Sequence, residues 1–449
     1  MKVLFVVTAF YPEQAIGSIR ISKFAKYFNK EGVEISVISL TPPPWSSRDE
    51  SLYFDALKDI DWQVIDQSSI FKKVFQRMRV ATIGTVPGNA GASTMKSKIT
   101  IMTKIRNIAQ FLYTLLKGID WSIRVKKYAL KNLKNENFDF IFCSYPSFAS
   151  PLGGIKLKKM GIGNQLIVDF RDPILSQKTY KFNLRYLLQK YIIKNADLKT
   201  FISEGVQNQV DNKIVNKIVN TKNLIAPNGF DPEDMKNIKL DGNKNKDKKI
   251  LRFAYTGAIY GGKRDLRPFF EAISEIVPSL KDANKKILFE YAGKEGDLFL
   301  SQAAEYNLHS YVVDHGQLSR LDALRLQQES DICLLATWNT SFEQGALTGK
   351  IFEYFMFKKP ILAIVVGNLP NSEICKIISR IDAGHCFEEA AIDSKKNLLA
   401  WIKNAIDEKQ KNGTIESKYN HEVKSFDIRE VVKVILAKMN ELNKNRASQ

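Results

Sequence analysis

The chain has 449 residues and a formal net charge of +19. Its length exceeds one typical hydrophobic core and predicts two domains, while 44% hydrophobic and 26% charged residues are ordinary for a globular protein. No apolar run reaches the roughly 18 residues that a membrane-spanning helix needs.

Cysteine and histidine are few and scattered. The cysteines stand at positions 143, 333, 375 and 386 with no C-x-x-C pair, and no histidine precedes His309. We therefore expect free thiols, as in a cytosolic protein, and no zinc site built from His and Cys.

The first half of the chain alternates apolar strands with helices. Its start, MKVLFVVTAFYPE, lacks a small-residue cleavage site and is interpreted as a buried strand, not a signal peptide. A helix is predicted over SIRISKFAKYFNKEG, with Gly32 as its C-terminal stop. The predicted strands of this half are KVLFVVT, EISVISL, FDFIFCS, QLIVDF, LKTFIS and NLIAPN.

Most of the excess positive charge lies between Phe71 and Asn135, where 14 Lys or Arg accompany one acid, Asp120. Apolar residues recur among these bases at helical spacing, including Ile105, Ile108 and Leu112. A basic amphipathic helix of this kind is typical of binding to an anionic membrane surface. A helix packed into its own domain and a nucleic-acid patch are the alternatives, but no nucleic-acid motif accompanies the charge.

The second half repeats the pattern with the strands LRFAYTG, KILFEYAG, YVVDHG, DICLLAT and PILAIV. Continuous apolar strands separated by helices predict parallel sheets covered on both faces, so each half is expected to be a doubly wound α/β domain. We place an N-terminal domain at 1–240, a polar linker at 241–250 and a C-terminal domain at 251–426. A helix over 427–449 is expected to cross back to the first domain.

Ligands of parallel α/β sheets bind at the carboxyl ends of strands, so the loops there are the candidate sites. After the first strand come Gly17, Ser18 and Arg20, which open a helix and could admit an anion or a hydroxyl, although no G-x-G-x-x-G motif is present. Asp169, Arg171 and Asp172 follow a later strand. They are either a self-neutralising structural cluster or a grip on sugar hydroxyls.

The second domain has two glycine-containing loops with cations. Gly257 is followed by a Gly-Gly pair, then by Lys263 and Arg264, which suggests a diphosphate site or an exposed charged turn. The segment GALTGKIFEY, 345–354, presents backbone N–H groups at a helix start, with Thr348 as a candidate cap. Lys350 and Glu353 lie one turn apart on one face and either bind a nucleotide or pair with each other.

Taken in order, several segments resemble retaining glycosyltransferases of family 4, which have the GT-B fold. The resemblance covers nearly the whole chain. Its segments are YPEQAIGSIRISKFAKYFNKEGVEISVIS, DFRDPI, ADLKTFISEG, APNGFDPED, YTGAIYGG and GALTGKIFEYFMFKKPILAI.

The resemblance implies an α/β GT-B fold: two facing Rossmann-like domains with a cleft between them. The C-terminal domain would hold a nucleotide-diphosphate sugar and the N-terminal domain an acceptor. Glu353 matches the second acid of the family's paired-glutamate motif, which binds the donor ribose. Gly345 occupies the place of the first acid, so Glu343 is the candidate replacement, and Ser144 or Tyr145 stands where many members have a histidine.

On this basis we assign three groups of candidate residues. The catalytic cations, which would neutralise the leaving diphosphate, are Lys350, Arg264 and Lys263. The donor-binding residues are Gly257, Gly316, Gln317, Gly345, Ala346, Leu347, Thr348, Gly349 and Glu353. The acceptor or sugar residues are Gly17, Ser18, Arg20, Ser144, Tyr145, Asp169, Arg171 and Asp172.

The implied function is retaining transfer of a sugar from a nucleotide-diphosphate donor to a glycan or lipid-linked acceptor, as in surface-polysaccharide synthesis. No cofactor, metal or nucleic acid is expected to be needed. The expected location is cytoplasmic, on the inner face of the plasma membrane through 71–135. A GT-B sugar-nucleotide epimerase and a non-catalytic nucleotide-sugar-binding protein are the alternatives.

Overall fold

A computed structural model describes the chain except residues 14–15, 43–45, 47, 49–56, 59, 74–100, 173–183, 212–221, 238–249, 283–285, 342–346 and 448–449. For helix residues 16, 101–107, 211, 236–237, 281–282 and 447 it describes the backbone alone. The predicted linker therefore lies outside the described residues, except for Ile250.

The N-terminal domain is built on a parallel sheet of seven described strands in the order β3-β2-β1-β4-β5-β6-β7. The interior strand β1 pairs with β2 on one side and β4 on the other, with Val3 opposite both Ile35 and Phe140. The strands are β1 Lys2–Val7, β2 Glu34–Leu40, β3 Asp61–Ile65, β4 Phe138–Tyr145, β5 Gly163–Phe170, β6 Leu198–Phe201 and β7 Lys222–Ile225.

Helices cover both faces of this sheet, as a parallel sheet with buried strands requires. The strands themselves are almost wholly buried in their central positions. The helices are α1 Ile16–Lys30, α2 Ile101–Asn132, α3 Ala149–Lys159, α4 Leu184–Asn195 and α5 Glu204–Asp211.

The C-terminal domain has a second parallel sheet, with six described strands in the order β10-β9-β8-β11-β12-β13. The strands are β8 Ile250–Thr256, β9 Lys286–Ala292, β10 Val312–Asp314, β11 Ile332–Trp338, β12 Ile361–Val366 and β13 Gly384–Glu388. The helices are α6 Arg267–Asp282, α7 Gly296–Ala304, α8 Arg320–Glu329, α9 Lys350–Phe357, α10 Glu373–Arg380 and α11 Ser394–Asn412.

The final helix, α12 (Ile428–Ala447), returns to the N-terminal domain, as predicted. Its buried residues, among them Val432 and Ile435, belong to the same hydrophobic cluster as Phe5 of β1 and Phe24 of α1. The chain leaves the N-terminal domain near Phe230 and returns to it near Asp427. These two residues form a β-bridge. Two crossings therefore connect the domains side by side.

Every strand predicted from the sequence is present, but two were missed, β3 and β13. Both are edge strands. The sequence of β3, DWQVI, is exposed at three of five positions, and that of β13, GHCFE, contains Gly, His and Glu. An edge strand needs no continuous apolar run, so neither carries the signal by which the buried strands were found.

One sequence prediction is wrong: the cysteines are not all free. Cys375 on α10 and Cys386 on β13 form a disulfide, with Cα atoms 5.4 Å apart, while Cys143 and Cys333 are free and buried. The partners are 11 residues apart in sequence, so no short motif marks them. Their proximity arises because a tight turn returns the chain from α10 directly into β13.

Among the described residues, no helix has the combined length and hydropathy to cross a membrane.

Candidate active site

A cleft between the two domains contains two adjoining cavities of about 290 and 560 Å³. The smaller is lined by both domains, with Arg20 and Asn228 on one side and Lys350 on the other. The larger lies within the C-terminal domain. Gly257, Arg320, Lys350 and Glu353 line both cavities, so the two are compartments of one cleft.

The carboxyl end of β8 and the start of α9 form the floor of the cleft. Lys350, the first residue of α9, extends its ammonium group over Gly257 and donates to the Thr256 hydroxyl over 3.3 Å. Gly257 has φ +110°, and a Cβ at this position would lie 2.0 Å from Lys350 Nζ. A side chain at 257 would therefore displace the lysine.

Glu353 lies one turn further along α9 and lines both cavities. One of its oxygens accepts a hydrogen bond of 2.8 Å from the side-chain amide of Gln327 on α8. Lys350 and Glu353, both described, form no direct ion pair, although the negative charge of Glu353 acts on the lysine. The structure thus separates the two side chains instead of closing them on each other.

The surroundings of Lys350 disfavour its charged form. Burial lowers its pKa from 10.5 to about 8; Glu353 opposes the shift and Arg264 adds to it. A buried ammonium group with incomplete compensation gains from an added anion, because the anion favours its charged form. The floor of the cleft is therefore suited to bind a negatively charged group.

The structure separates the three cations that follow Gly257. Arg264 lines the smaller cavity, with its guanidinium donating to Ala258 O over 3.1 Å and its buried Nε without a hydrogen-bond partner among the described residues. Lys263 lies over the ring of Trp338, 4.3 Å from its centroid, and is exposed. Arg267 pairs with Glu305 over 2.6 Å.

Three backbone N–H groups of this loop are already bonded within the domain. The N–H groups of Ile259, Tyr260 and Gly261 all donate to the carboxylate of Glu295, at 2.6 to 3.0 Å. The sequence suggested either a diphosphate site or an exposed charged turn at this loop, where glycines precede two cations. Arg264 and Lys350 are the cations of this region that line the smaller cavity.

The GALTGK segment is described only from Leu347 onward; Gly345, Ala346 and Glu343 lie outside the described residues. Thr348 and Gly349 line the smaller cavity, and Leu347 precedes them. Thr348 does not cap α9 as predicted: the N-cap is Gly349, with no side-chain cap bond. The hydroxyl of Thr348 is buried without a partner among the described residues.

Gly316 and Gln317 follow β10 near the larger cavity. Gln317 lines that cavity, whereas Gly316 supports it from behind: its carbonyl accepts from Gly293 N over 2.8 Å. Gly293 itself lines the cavity.

On the N-terminal side, Arg20 reaches the cleft but is heavily bonded. It forms a buried ion pair with Asp169 at 2.8 Å and donates to the carbonyls of Ala226 and Pro227 and to Asn228. Asp169 is fully buried and also accepts from the hydroxyls of Ser144 and Thr200. Asp169 is thus a structural partner of Arg20 and does not line either cavity.

Arg171 binds the neighbouring strand and approaches α1. Its Nε donates to the Ser144 hydroxyl and to the Tyr145 carbonyl at 3.0 and 3.1 Å, and burial lowers its pKa. A Cβ at Gly17 would lie 1.7 Å from its guanidinium, so this contact requires glycine.

Ser18 is fully buried, and its hydroxyl has no partner among the described residues. Asp172 is exposed beside Arg171. Neither Ser18 nor Asp172 lines the two cavities, nor do Gly17, Ser144 and Tyr145.

Several residues that line the cavities were not predicted from the sequence. Asn228, Asp231 and Asp234 follow β7 in the crossover that carries APNGFDPED, a segment noted above only for its resemblance. Gln327 lies inside a helix and Arg320 at a helix start, with no motif around them. Only the packing of α8 against β8 and α9 brings these two side chains to the cleft.

Among the residues that the structure describes, no cluster of three or more His, Cys, Asp or Glu is arranged to hold a metal ion.

Comparison with solved structures shows the same architecture along the whole chain. A complex of the Anabaena protein HepE with UDP has a TM-score of 0.61 at 14% identity, covering 98% of this chain and 100% of that one. The chain has the GT-B fold.

Two further structures with the GT-B fold extend the comparison. The α,α-trehalose 6-phosphate synthase of Burkholderia multivorans has a TM-score of 0.62 at 9% identity, with 99% and 100% of the two chains covered. The lipopolysaccharide outer core galactosyltransferase WaaB has a TM-score of 0.53 at 13% identity, with 96% and 95% covered. No protein-family model and no curated protein matches the sequence.

Proposed function

We propose that this protein is a retaining glycosyltransferase of family 4 type, which moves a hexosyl group from a nucleotide-diphosphate sugar to a glycan or lipid-linked acceptor. The observation that carries the proposal is the placement of Lys350 and Glu353 on one helix, both lining the cleft between two GT-B domains. A cation and an acid one turn apart suit a diphosphate and the adjoining ribose. The UDP in the HepE complex is consistent with such a donor.

In the proposed complex the donor occupies both cavities. Glu353 accepts from the ribose hydroxyls, and the nucleoside extends into the larger cavity toward Gln317. Lys350 and Arg264 bind the diphosphate, since both line the smaller cavity. The transferred sugar then faces the N-terminal domain, where Arg20 and Asn228 line the opposite wall.

The proposed reaction needs few protein groups. The acceptor hydroxyl attacks the anomeric carbon from the face that the diphosphate leaves. The bond between that carbon and the phosphate oxygen breaks as the new bond forms, and the hydroxyl proton passes to the departing phosphate oxygen. Lys350 and Arg264 stabilise the negative charge that grows on the phosphate, which lowers the barrier without a metal ion.

The acceptor is proposed to be close to an anionic membrane, as in the synthesis of capsule, O-antigen or exopolysaccharide on the cytoplasmic face of the plasma membrane. The support is a row of exposed apolar side chains along α2. They are Ile108, Leu112, Leu116, Ile119, Ile123 and Leu130. Exposed bases flank them on the same helix, at Arg124, Lys126, Lys127 and Lys131. Apolar insertion and attraction to anionic lipid would act together.

The first test is a thermal-shift screen with UDP, GDP and ADP, because a nucleotide that binds the folded state raises the melting temperature. Calorimetry then compares the wild type with Glu353→Ala. Loss of a charge-assisted contact to ribose should weaken binding by about 1.5–3 kcal/mol. Transfer is measured afterwards with the matching sugar nucleotides.

Glu275→Ala serves as the matched control, because Glu275 is an acid of the same domain that pairs with Lys395 and lines neither cavity. It should bind nucleotide like the wild type. An unchanged dissociation constant for Glu353→Ala would remove Glu353 from the donor site. Nucleotide binding without transfer or hydrolysis of any sugar nucleotide would favour the non-catalytic alternative.

A further inference from the structure

Gln327 is an almost completely enclosed polar side chain that borders the cleft. It is 1% exposed and lies on α8, between the end of β8 and α9. Its amide nitrogen donates to the Glu353 carboxylate and to the Thr256 hydroxyl, each over 2.8 Å. Both hydrogens of the amide group are therefore used.

The donor and acceptor roles around Gln327 fix its orientation. Thr256 Oγ1 accepts from Gln327 and from Lys350. An ionised carboxylate can only accept, so the amide nitrogen of Gln327 must face Glu353.

The opposite orientation of the amide would be unfavourable. It would place the carbonyl oxygen of Gln327 against the carboxylate of Glu353, acceptor against acceptor. The amide carbonyl that results from the observed orientation is buried without a partner among the described residues. The observed orientation therefore costs about the free energy of one unsatisfied buried acceptor. In return, both N–H groups of the amide donate, to Glu353 and to Thr256.

We propose that Gln327 is a positioning residue, which holds Glu353 ready for the ribose hydroxyls and joins it through Thr256 to Lys350. The nucleoside half and the diphosphate half of the donor are then recognised by one hydrogen-bonded unit. This inference rests on the proposed function, because it assigns Glu353 to ribose. Sequence spacing gives no indication of it, since Gln327 is 26 residues from Glu353.

The test is nucleotide affinity of Gln327→Met, which keeps the length of the side chain and removes the amide. The probes are UDP, GDP and ADP, each paired with its 2′,3′-dideoxy analogue. With the nucleotide that the wild type binds, the variant should bind about tenfold more weakly, because a hydrogen bond to a charged group is lost. With the dideoxy analogue, wild type and variant should bind alike.

A second arm uses Glu353→Ala as background. There Gln327→Met should cause no further loss, because residues acting through one contact are not additive. Gln302→Met is the matched control: Gln302 is 2% exposed in α7 and accepts from Leu266 N, away from the lining residues. It should leave both affinities unchanged.

The outcomes are distinct. Equal weakening of the nucleotide and its dideoxy analogue, or additive losses with Glu353→Ala, would show a merely structural role and overturn the inference. A wild type that binds nucleotide and its dideoxy analogue equally would overturn the ribose assignment of Glu353. A wild type that binds none of the three nucleotides would overturn the proposed function, and this inference with it.

Discussion

Lys350 is held close to its titration point. Its pKa of about 8 lies below the ordinary 10.5, so in the unliganded protein its charged form is disfavoured by burial. The contribution of this group to folding stability is therefore fully present above pH 10.5 and is lost as the pH falls through about 8. A bound diphosphate acts in the opposite direction, because it raises the pKa again.

Nucleotide binding should consequently depend on pH. Affinity should be highest below about pH 8 and should fall above it by up to about tenfold per pH unit, because binding then requires uptake of one proton. The same fall above about pH 8, the alkaline limb of the pH profile, should appear in kcat/KM, which reports the pKa values of groups in the free enzyme. Calorimetry between about pH 6.5 and 9.5 measures it.

Two variants identify the titrating group. Lys350→Arg stays charged throughout this range, and Lys350→Gln is never charged, so both should show nearly flat profiles at different levels of affinity. Persistence of the alkaline limb in either variant would assign it to another residue.

A second prediction distinguishes Arg264 from Lys263. Arg264 lines the cavity, whereas Lys263 lies over the ring of Trp338. Arg264→Ala should lower kcat about 10²-fold, as loss of a preorganised charge-stabilising donor does. Lys263→Ala, the matched control of equal charge change, should retain nearly full turnover. Equal effects of both, or an effect on KM alone, would contradict a leaving-group role for Arg264.

The sequence indicated which residues lie at the carboxyl ends of strands. It did not indicate which neighbours their side chains bind. Lys350, Glu353 and Gly257 could be predicted because parallel strands bring their carboxyl-terminal loops together. Asp169 could not be recognised as the buried partner of Arg20, since that pair joins residues 149 apart. Gln327 gave no signal, because its role depends on the packing of α8 alone.

At the scale of elements, α2 has two apolar sides. One side, with Trp121 and Val125, is fully buried in the core. The other carries the exposed row that includes Ile108, at 60% exposure, and Leu112, at 43%. Exposed Leu184 and Leu187 of α4 belong to the same domain, and α4 touches α2 where Arg185 lies over the ring of Phe111.

The exposed row should bind the protein to anionic vesicles. Wild type should sediment with vesicles of anionic phospholipid at low salt and be released only partly by high salt, because charge is screened while apolar insertion is not. Ile108→Ser, Leu112→Ser and Leu116→Ser together should release it more fully. Leu116 is used because the side chain of Ile105, which the sequence suggested, lies outside the described residues.

The triple variant should keep its melting temperature, because its three side chains are exposed. Ile392→Ser is the matched control, since Ile392 is 91% exposed and belongs to the C-terminal domain. Unfolding of the triple variant, or a wild type that ignores anionic vesicles at low salt, would refute the membrane proposal. The positive charge would then serve to attract an anionic acceptor from solution.

Most of the strands that the sequence predicted are buried on both faces. Strands such as β1 and β4 are nearly all apolar, because both sheet faces are covered. The edge strands β3 and β13 were missed, and α2 was recognised as amphipathic without a way to know that it has two apolar sides. Burial against neighbours, which creates this distinction, is a property of the folded molecule.

At the scale of the whole molecule, two carboxylates connect the domains. Asp234, in the crossover after β7, contacts Lys23 of α1 at 3.0 Å and Arg320 of α8 at 3.4 Å. Glu373 at the start of α10 accepts from the backbone N–H groups of Glu204 and Gly205 at 3.0 and 3.4 Å. The two contacts join different segments of the two domains, and together they hold the domains in one relative arrangement.

Removing the second contact should open the molecule. Glu373→Ala takes the acceptor from the N-terminus of α5, which costs about 0.5–2 kcal/mol in related helix caps. We expect a larger radius of gyration by small-angle X-ray scattering in the absence of ligand, and a return toward the wild-type value when nucleotide is added. Glu389→Ala is the control, because Glu389 accepts from Gly367 N within one domain. Identical scattering of the two variants would show that Glu373 does not set the domain arrangement.

The return of α12 to the N-terminal domain has a consequence for synthesis of the chain. The cluster that contains Phe5 and Phe24 is completed by Val432 and Ile435, which the ribosome makes more than 400 residues after Phe5. At typical translation rates the first domain emerges long before its last helix. The apolar surface that α12 covers therefore stays exposed while the second domain is made. The usual order, in which an amino-terminal domain finishes folding first, is therefore reversed. We expect the nascent chain to depend on chaperones until α12 leaves the exit tunnel.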